Sequence, residues 1–277
     1  MSNLATLVRG AKRSDLIITP RLNQFLMNNN NLELDTIVSD RIYELLKAKP
    51  RDRRFSFSSS SAGDCERKQV YNYLGVEDEE NFGAISPRLQ MIFYDGTWRH
   101  LRWQAVLLQA GILTKVEQPL MWKKKRSRGT MDGAGIVPDN HPHTSWQGKE
   151  FGFELKGMNS WGYKSLVGKN EPRKDHLEQV HRYFLSGGFP LFIIVYENKD
   201  TQEWIEFVVE PNPQMMQAQK EELDRLNYAV DKEELPLMQL VCQKQTGKEF
   251  KSCQYGNKRG VCVKDKSFAE LLLNPKQ

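Results

Sequence analysis

Polar and apolar residues alternate over residues 151–157, FGFELKG, with the regularity expected of a β-strand. Successive side chains of a strand point to opposite faces, so the apolar side chains would share one face while Glu154 and Lys156 share the other. Residues 190–197, PLFIIVYE, are instead almost continuously apolar, which is typical of a strand covered on both faces. The pattern therefore predicts one half-buried strand and one fully buried strand.

Helical periodicity, with apolar residues three and four positions apart, marks five segments. They are residues 35–49, 65–74, 95–110, 175–186 and 213–230. Further strands are predicted at residues 116–122, 130–138 and 203–210. This order predicts an α/β protein with a mixed central sheet flanked by helices. We expect a helical N-terminal arm at residues 1–57, a core at residues 58–210, and a C-terminal helix and cysteine-bearing segment at residues 211–277 that folds back on Cys65.

The chain has 277 residues, which suits one large domain or a core with appendages. Its formal net charge of +5 permits a polyanionic partner without requiring one. No apolar run approaches the roughly 20 residues that span a bilayer, and the N-terminus lacks the apolar segment of a secretory signal. We therefore expect a soluble cytoplasmic protein, or one of the host cytoplasm if a phage encodes it, with no membrane partner. In a reducing cytoplasm, its four cysteines would be thiols or metal ligands rather than disulfides.

The chemistry of residues 151–157 depends on a second carboxylate upstream. Asp132, in the segment GTMDG, would come beside Glu154 if the two predicted strands are neighbours. Two converging carboxylates repel each other unless a cation lies between them, which favours a hard divalent metal. Lys156 could then orient the attacking water and stabilise charge on a phosphate. The alternative is a hairpin with a turn aspartate and a solvated Glu–Lys pair.

Three further side chains fit the same site. His100, on a predicted helix, could add a nitrogen ligand, although a partly buried helix histidine is the alternative. Gln179 and Tyr183 stand four residues apart on another helix and would share a face. They could touch a phosphate or a base, or they could belong to an ordinary helix surface.

The basic stretches at residues 123–129 and 251–266 could hold a phosphate backbone, or could be solvated turns.

In chain order, His100, Asp132, ELK at residues 154–156 and QVHRY at residues 179–183 resemble the motifs of RecB-like nucleases of the PD-(D/E)xK superfamily. The resemblance spans about residues 58–210. It implies a restriction-endonuclease-like core and a metal-dependent nuclease.

The same resemblance implies a role for each motif residue. A Mg²⁺ or Mn²⁺ ion would be held by His100, Asp132, Glu154 and the backbone carbonyl of Leu155. Lys156 would be catalytic together with the carboxylates of Asp132 and Glu154. Gln179 and Tyr183 would position the DNA strand.

The cysteines have an unusual layout, with one before the nuclease motifs and three after them. They are Cys65, Cys242, Cys253 and Cys262. In a fold whose ends meet, four thiolates could form a closed site for an iron–sulfur cluster or for zinc. No histidine follows His181, which excludes a mixed Cys/His finger within the tail. Four unrelated cysteines, some of them buried, are the alternative.

This layout, with Arg67 and Lys68 directly after the first cysteine, is similar to the iron–sulfur staple of RecB-like exonucleases. That group includes the CRISPR-associated exonucleases of the Cas-four type and the AddB nuclease domain. The resemblance implies a 4Fe-4S cluster, with zinc as the alternative, and implies that Arg67 and Lys68 contact DNA. The spacing departs from the family pattern, because the three later cysteines are much farther apart than its usual Cys-x2-Cys step.

The sequence therefore favours a metal-dependent DNA exonuclease acting on single-stranded or free ends, in recombination, repair or CRISPR adaptation. Exonuclease rather than endonuclease activity comes from the resemblance alone. A structure-specific endonuclease on the same core and a non-catalytic nucleic-acid-binding subunit are the alternatives. A further alternative is a scaffold whose N-terminal arm binds a protein partner or a second copy of the chain.

Overall fold

The structure, a computed structural model, describes the chain in nine stretches. They are residues 8–10, 14–29, 33–47, 54–76, 86–253, 255–256, 261–262, 264 and 267–272. The predicted basic stretch at residues 251–266 lies partly outside the described residues.

The described strands form a seven-stranded mixed sheet. They are β1 (Val8–Gly10), β2 (Phe57–Ser58), β3 (Leu113–Trp122), β4 (Ser127–Ile136), β5 (Glu150–Met158), β6 (Leu191–Asn198) and β7 (Trp204–Val209). Their order is β1-β7-β6-β5-β4-β2, with β3 also paired to β4. β5 runs parallel to β6, while β4 and β7 run antiparallel to their neighbours β5 and β6.

Helices cover both faces of this sheet. They are α1 (Thr19–Asn28), α2 (Thr36–Lys47), α3 (Glu66–Leu74), α4 (Pro87–Gln109), α5 (Ser160–Lys169), α6 (Lys174–Gly187), α7 (Pro213–Asp231), α8 (Leu240–Gln243), α9 (Gly247–Ser252) and α10 (Phe268–Leu272). The mixed α/β architecture predicted from the sequence is confirmed. Within the described stretches, no helix has the length and apolar character needed to cross a membrane.

The sheet separates two hydrophobic clusters, and β6 contributes to both. Ile193 and Val195 pack into one cluster with residues of α1, α4 and β5, and Phe192 and Ile194 pack into the other with residues of α6. All eight residues of β6 are buried. The prediction of a strand covered on both faces is therefore confirmed, because an uninterrupted apolar run leaves no polar face for water.

The N-terminal residues are joined to this sheet. β1 pairs antiparallel with β7, and Ile17 and Ile18 are buried against α4 and β5. The carboxylate of Glu206 on β7 accepts hydrogen bonds from the backbone N–H groups of Ile17, Ile18 and Thr19, at 2.7, 3.0 and 2.8 Å. These groups lie at the start of α1, where orphan N–H groups and the helix dipole favour a carboxylate. Residues 8–10 are thus part of the sheet edge, and Ile17 and Ile18 are part of the core.

Helices α4 and α5, which flank the cleft-bearing strands, are among those that differ from the sequence expectation. α4 begins at Pro87, eight residues before the predicted start, and Ser86 Oγ caps it by accepting from the N–H of Leu89. Its first turns are exposed and apolar on several sides, so no amphipathic stripe marks them. α5 was not predicted at all. Two glycines lower its helical propensity, but Asn159 Oδ1 caps it by accepting from the N–H of Gly162 at 2.8 Å.

A third hydrophobic cluster joins the C-terminal segment to α3 and α7. Val261, Cys262 and Phe268 are buried in it beside side chains of both helices. The hydroxyl of Tyr255 lies 2.8 Å from Asn72 Oδ1, and its ring packs edge-on against Tyr71. The segment that follows α7 therefore returns to the helix that begins directly after Cys65.

Candidate active site

A fork in the sheet creates the cleft that contains the predicted catalytic residues. One edge of β4 pairs with β3 along most of its length. On the other edge, β5 pairs with residues 133–136 and β2 pairs with residues 127–128. Among the described residues, positions 129–132 form no ladder pair on that edge. A cleft of about 210 Å³ opens there.

The cleft is lined by β2, β4, β5 and α6. Its lining residues are Ser56, Ser58, Ser60, Arg128, Gly129, Thr130, Glu154, Lys156, Gln179 and Tyr183. A side chain at Gly129 would meet Tyr183 Cε1 at 2.5 Å and Ser59 Oγ at 2.7 Å. Glycine at this position therefore lets α6 approach β4 closely.

Glu154 and Lys156 share the cleft side of β5, as strand alternation predicts. Lys156 Nζ donates to Glu154 Oε1 at 2.8 Å. Glu154 is only 4% exposed and the Lys156 side chain 19%, so the pair is largely shielded from water and is not the solvated pair of the alternative interpretation. Its second oxygen, Oε2, is buried and forms no hydrogen bond. A buried carboxylate oxygen without a partner is costly, which makes it a site for a cation or a hydrogen-bond donor.

Asp132 lies within β4 and is buried, so it is not the turn aspartate of the alternative interpretation. Its Oδ1 is 2.9 Å from His100 Nδ1, and its Oδ2 accepts from the backbone N–H of Leu155 at 2.7 Å. Gln104 Nε2, one turn further along α4 than His100, donates to the Asp132 backbone carbonyl at 2.9 Å. Helix α4 therefore holds Asp132 against the strand that carries Glu154.

Gln179 and Tyr183 extend this network on α6. Gln179 accepts from Lys156 Nζ at 2.8 Å and donates through Nε2 to Glu154 Oε1 at 2.8 Å. Its Nε2 also donates to the Tyr183 hydroxyl at 2.7 Å, and that hydroxyl donates to the Thr130 carbonyl at 2.9 Å. Both side chains are buried, which differs from an ordinary helix surface. Gln179 contacts the Glu154–Lys156 pair directly, and Tyr183 accepts a hydrogen bond from Gln179 and so helps to hold it in place.

Burial and the proximity of opposite charges together set the protonation of the site residues. Burial raises the pKa of Glu154 to about 7 against the opposing charge of Lys156, and the charge of Asp132 adds to the rise. Burial alone would lower the pKa of Lys156, but the charge and hydrogen bond of Glu154 outweigh it and raise that pKa. Likewise, Asp132 overcomes the effect of burial on His100 and raises its pKa to about 9. Lys156 and His100 are therefore cations near neutral pH.

Within the described stretches, no three His, Cys, Asp or Glu side chains are grouped closely enough to hold a metal ion. His100 and Asp132 are hydrogen-bonded to each other in this structure. The donor set nevertheless fits a hard divalent cation, because two carboxylates, an imidazole and a strand carbonyl lie on adjoining elements. The unpartnered Glu154 Oε2 is the observation that supports this fit.

The four cysteines form no disulfide with one another, and the thiol of Cys262 lies close enough to Cys65 and Cys242 to be influenced by them. Burial raises the pKa of the Cys262 thiol to about 11, and charges on Cys242 and Cys65 add to the rise. Cys253 packs against the same hydrophobic cluster as Cys262. Near them, the N–H of Gly256 donates to the Cys253 carbonyl, and the N–H of Cys262 donates to the Tyr255 carbonyl.

The two predicted DNA-binding residues after Cys65 have protein partners. Arg67 is buried, and its Nε donates to the Tyr71 hydroxyl at 3.0 Å. Lys68 Nζ forms an ion pair with Asp64 at 2.8 Å. Arg67 also lies near Cys262, whose thiol pKa its charge lowers. In this structure the Arg67 side chain therefore lies against Tyr71 and near Cys262.

Several residues of the site were missed in the sequence. The serines at positions 56, 58 and 60 line the cleft. Phenylalanine and serine alternate at residues 55–58, which is typical of a strand, but the run of serines that follows indicates a loop and hides this pattern. Arg182, on α6, is fully buried and donates to Glu222 and Gln219 of α7, but nothing in its sequence context marks it.

No family model matches the sequence, and no curated protein matches it. Three solved structures are distantly similar. An alkaline exonuclease, LHK-Exo from Laribacter hongkongensis, is 13% identical with a TM-score of 0.47, covering 65% of this chain and 90% of its own. Its complex with dAMP is 14% identical with a TM-score of 0.45 over the same shares, 65% and 90%. The third, SSO0001, is 17% identical with a TM-score of 0.43, covering 79% of this chain and 91% of its own. Likeness at this level assigns no function.

Proposed function

We propose that the protein is a metal-dependent deoxyribonuclease that hydrolyses phosphodiester bonds in the cleft between β4, β5 and α6. The observation that supports this most strongly is the buried Glu154–Lys156 pair, in which one carboxylate oxygen has no partner and a lysine cation holds the other. Phosphodiester hydrolysis needs fixed positive charge against the phosphate and a site for a cation beside it. Both requirements meet at this cleft.

Four groups would hold the cation. They are the carboxylates of Glu154 and Asp132, His100 and the backbone carbonyl of Leu155, a mainly oxygen set that suits Mg²⁺ or Mn²⁺. When bound, the cation supplies Lewis acidity and positive charge against the phosphate oxygens. His100 would bind the cation as a neutral imidazole, so the proton that it holds at neutral pH without metal would be released. Because His100 and Asp132 would bind the same ion, their Nδ1–Oδ1 hydrogen bond would be replaced by bonds to the cation.

Lys156 has an electrostatic role in this proposal. Its raised pKa keeps the side chain protonated, so it cannot accept a proton from water at neutral pH. As a cation it stabilises the charge that develops on the phosphate oxygens and can orient the attacking water through an N–H group. Gln179 accepts a hydrogen bond from Lys156 and donates one to Glu154, which fixes both groups before substrate arrives. Action on single-stranded or free ends rests on the motif resemblance.

We further propose that the four cysteines hold a structural 4Fe-4S cluster, with zinc as the alternative. The influence of Cys65 and Cys242 on the pKa of the Cys262 thiol supports this, as does the position of Cys253 against the same hydrophobic cluster. The thiols would have to move closer together to bind a metal, because no three of the described cysteines are grouped closely enough here. The spacing along the sequence is wide, but the N–H of Cys262 donates to the carbonyl of Tyr255, two residues after Cys253. The site would lie outside the cleft of Glu154 and would connect the C-terminal segment to α3.

The test of the nuclease proposal is digestion of end-labelled linear single-stranded DNA and of covalently closed circular single-stranded DNA. Each is incubated with Mg²⁺, Mn²⁺ or EDTA. We expect wild-type protein to cut only with metal, and Lys156→Ala to lose at least about 100-fold in rate, since removing one group that stabilises transition-state charge costs that much. Degradation of linear DNA alone indicates an exonuclease, and cutting of the circle indicates the endonuclease alternative.

Lys115→Ala is the matched control. Lys115 also pairs with a glutamate of β5, Glu150, at 3.5 Å, but both side chains are 54% exposed. Its loss should leave the rate unchanged. If no DNA is cut with any metal while binding persists, the non-catalytic binding subunit replaces the nuclease as the proposed function.

A further inference from the structure

Trp161 is the most exposed aromatic side chain of the described residues, at 83%. It lies in the first turn of α5, directly after the strand that carries Glu154 and Lys156. The backbone beneath it is held firmly, because Asn159 caps the helix and the N–H of Ser160 donates to Asp200 at 3.0 Å. A large, flat, uncovered ring on a fixed backbone is a ready surface for stacking.

The ring borders a cleft of about 480 Å³ between α5 and the start of α6, a volume within the range of small-ligand sites. Its apolar lining includes Met158, Leu166, Pro172 and Leu177. This mixture of one exposed indole and an apolar floor suits a planar, partly apolar group such as a nucleobase.

The charges around the cleft favour an anionic chain. Lys169, Arg173 and Lys174 line it, together with the carboxylates of Glu171 and Asp175. Asp175 is bound by Arg173 at 2.6 Å, which removes it as a repulsive group. Lys174 extends into solvent with 85% of its side chain exposed, even though it lies 3.4 Å from Glu178. Lysines at the rim are placed to meet phosphates on either side of a base.

This cleft adjoins the candidate active site. Trp161 follows Lys156 by five residues, so their backbones are separated by at most about 18 Å. Asp175 and His176, at the start of α6, lie close enough to Lys156 for their charges to interact with it. A strand held at Lys156 could therefore pass over α5 within a few nucleotides.

We propose that this cleft binds an unpaired base of the substrate strand, stacked on Trp161, with the neighbouring phosphates on Lys169 and Lys174. The inference rests on the proposed function for its substrate class, but it concerns binding and not cleavage. It gives the protein a preference for strands whose bases are unpaired on one side of the cleavage point.

The test is equilibrium binding of a fluorescently labelled oligothymidylate, measured in EDTA and again in Ca²⁺ so that binding is separated from cleavage. Trp161→Ala should weaken binding by about 5- to 150-fold, the range for loss of one base–aromatic stack. Trp161→Phe should keep most of the affinity because a smaller ring still stacks. The quenching of tryptophan fluorescence on binding should shrink in both variants. A blunt duplex should bind equally well to wild type and to Trp161→Ala.

Tyr228→Ala is the control, because Tyr228 is also an exposed aromatic on a helix, but it borders a cleft rich in carboxylates such as Asp64, Glu66 and Glu234. It should bind like wild type. Oligothymidylate binding by Trp161→Ala within twofold of wild type would overturn the proposal, as would absence of wild-type binding in both buffers. An inactive protein that still loses binding on Trp161→Ala would overturn the nuclease proposal and leave this one standing. An active protein whose oligothymidylate binding is unchanged by Trp161→Ala would overturn this proposal and leave the nuclease proposal standing.

Discussion

Asp132 is hydrogen-bonded on both of its oxygens by groups from different elements, His100 of α4 and the Leu155 amide of β5. At the scale of single residues, these two hydrogen bonds fix the position of the Asp132 carboxylate next to the strand that carries Glu154. Glu154 receives hydrogen bonds on one oxygen only, from Lys156 and Gln179. The unequal satisfaction of the two carboxylates means that Glu154, and not Asp132, is the group most in need of a cation.

The His100–Asp132 contact predicts a pH dependence of stability in the absence of metal. Its partner Asp132 raises the pKa of His100 from 6.5 to about 9, despite burial. The folded state then holds a proton more tightly than the unfolded state, so this stabilisation is complete below pH 6.5 and is lost as the pH rises toward 9. In EDTA, the urea midpoint of wild-type protein should fall across this interval.

In His100→Gln the same interval should show a smaller fall, because glutamine does not titrate. Urea denaturation at pH 6.5 and pH 9, followed by circular dichroism, measures both proteins. An equal fall in the variant would show that some other group is responsible.

The sequence predicts which of these side chains lie close together wherever their spacing places them on one face of a strand or helix. The side chains of Glu154 and Lys156 meet because alternate residues of a strand share a face, and those of Gln179 and Tyr183 meet because residues four apart on a helix share a face. Spacing could not show whether the Glu–Lys pair is solvated or buried, since burial depends on α6, which packs across β5. Nor could it show that Gln179 contacts Glu154, because that contact joins positions 25 residues apart.

At the scale of elements, Arg182 connects three helices. It is 0% exposed, and it donates to Glu222 and Gln219 of α7 at 2.8 and 3.0 Å and to Gln69 of α3 at 3.3 Å. Since α6 also carries Gln179 and Tyr183, this buried cation fixes the helix that holds the Glu154–Lys156 pair. It links α6 to α3, the helix that follows Cys65.

Replacing this arginine should be strongly destabilising. Arg182→Met leaves the Glu222 carboxylate buried without its cation, and breaking such a buried pair costs about 3–5 kcal/mol. Arg225→Met is the matched control, since Arg225 pairs with Glu66 at the same 2.8 Å distance but is 57% exposed. An exposed pair contributes about 0–1 kcal/mol. Urea denaturation measures both, and equal losses would contradict a special role for Arg182.

Element boundaries were predictable where an amphipathic stripe exists and unpredictable elsewhere. The apolar stripe of α6 is clear in the sequence, and the helix lies where it was expected, although it begins at Lys174 with Asp175 in the first turn. The early turns of α4 lack such a stripe, and α5 contains Gly162 and Gly168. Both depend on caps and on tertiary context, which periodicity does not detect.

At the scale of the whole molecule, the two ends of the described chain are fixed in different ways. The N-terminal residues join the sheet and its main hydrophobic cluster through β1, Ile17 and Ile18. The C-terminal segment is made of short helices and packs on a smaller cluster with α3 and α7. Short helices have little intrinsic stability, so this segment is the part that a metal or cluster would stabilise most.

The proposed cysteine site therefore predicts a local effect of metal. Protein purified without oxygen should absorb in the visible range and bleach with dithionite if it holds a 4Fe-4S cluster, or be colourless with about one zinc per chain. In Cys262→Ser, limited proteolysis should cut faster within residues 240–272, while the fragment that retains β3 to β7 stays folded. Wild-type protein containing neither iron nor zinc, with unchanged proteolysis in the variant, would leave the cysteines as unrelated thiols.

The hydrogen bond from the Leu155 amide to Asp132 Oδ2 has one further consequence. It occurs where the β4–β5 ladder has ended, so a side chain takes the place of a strand partner and protects that amide from solvent. Any event that turns the Asp132 carboxylate toward a ligand must weaken this protection. Hydrogen–deuterium exchange at this single backbone amide would therefore reveal rearrangement of the site without a mutation, an attached probe or a turnover.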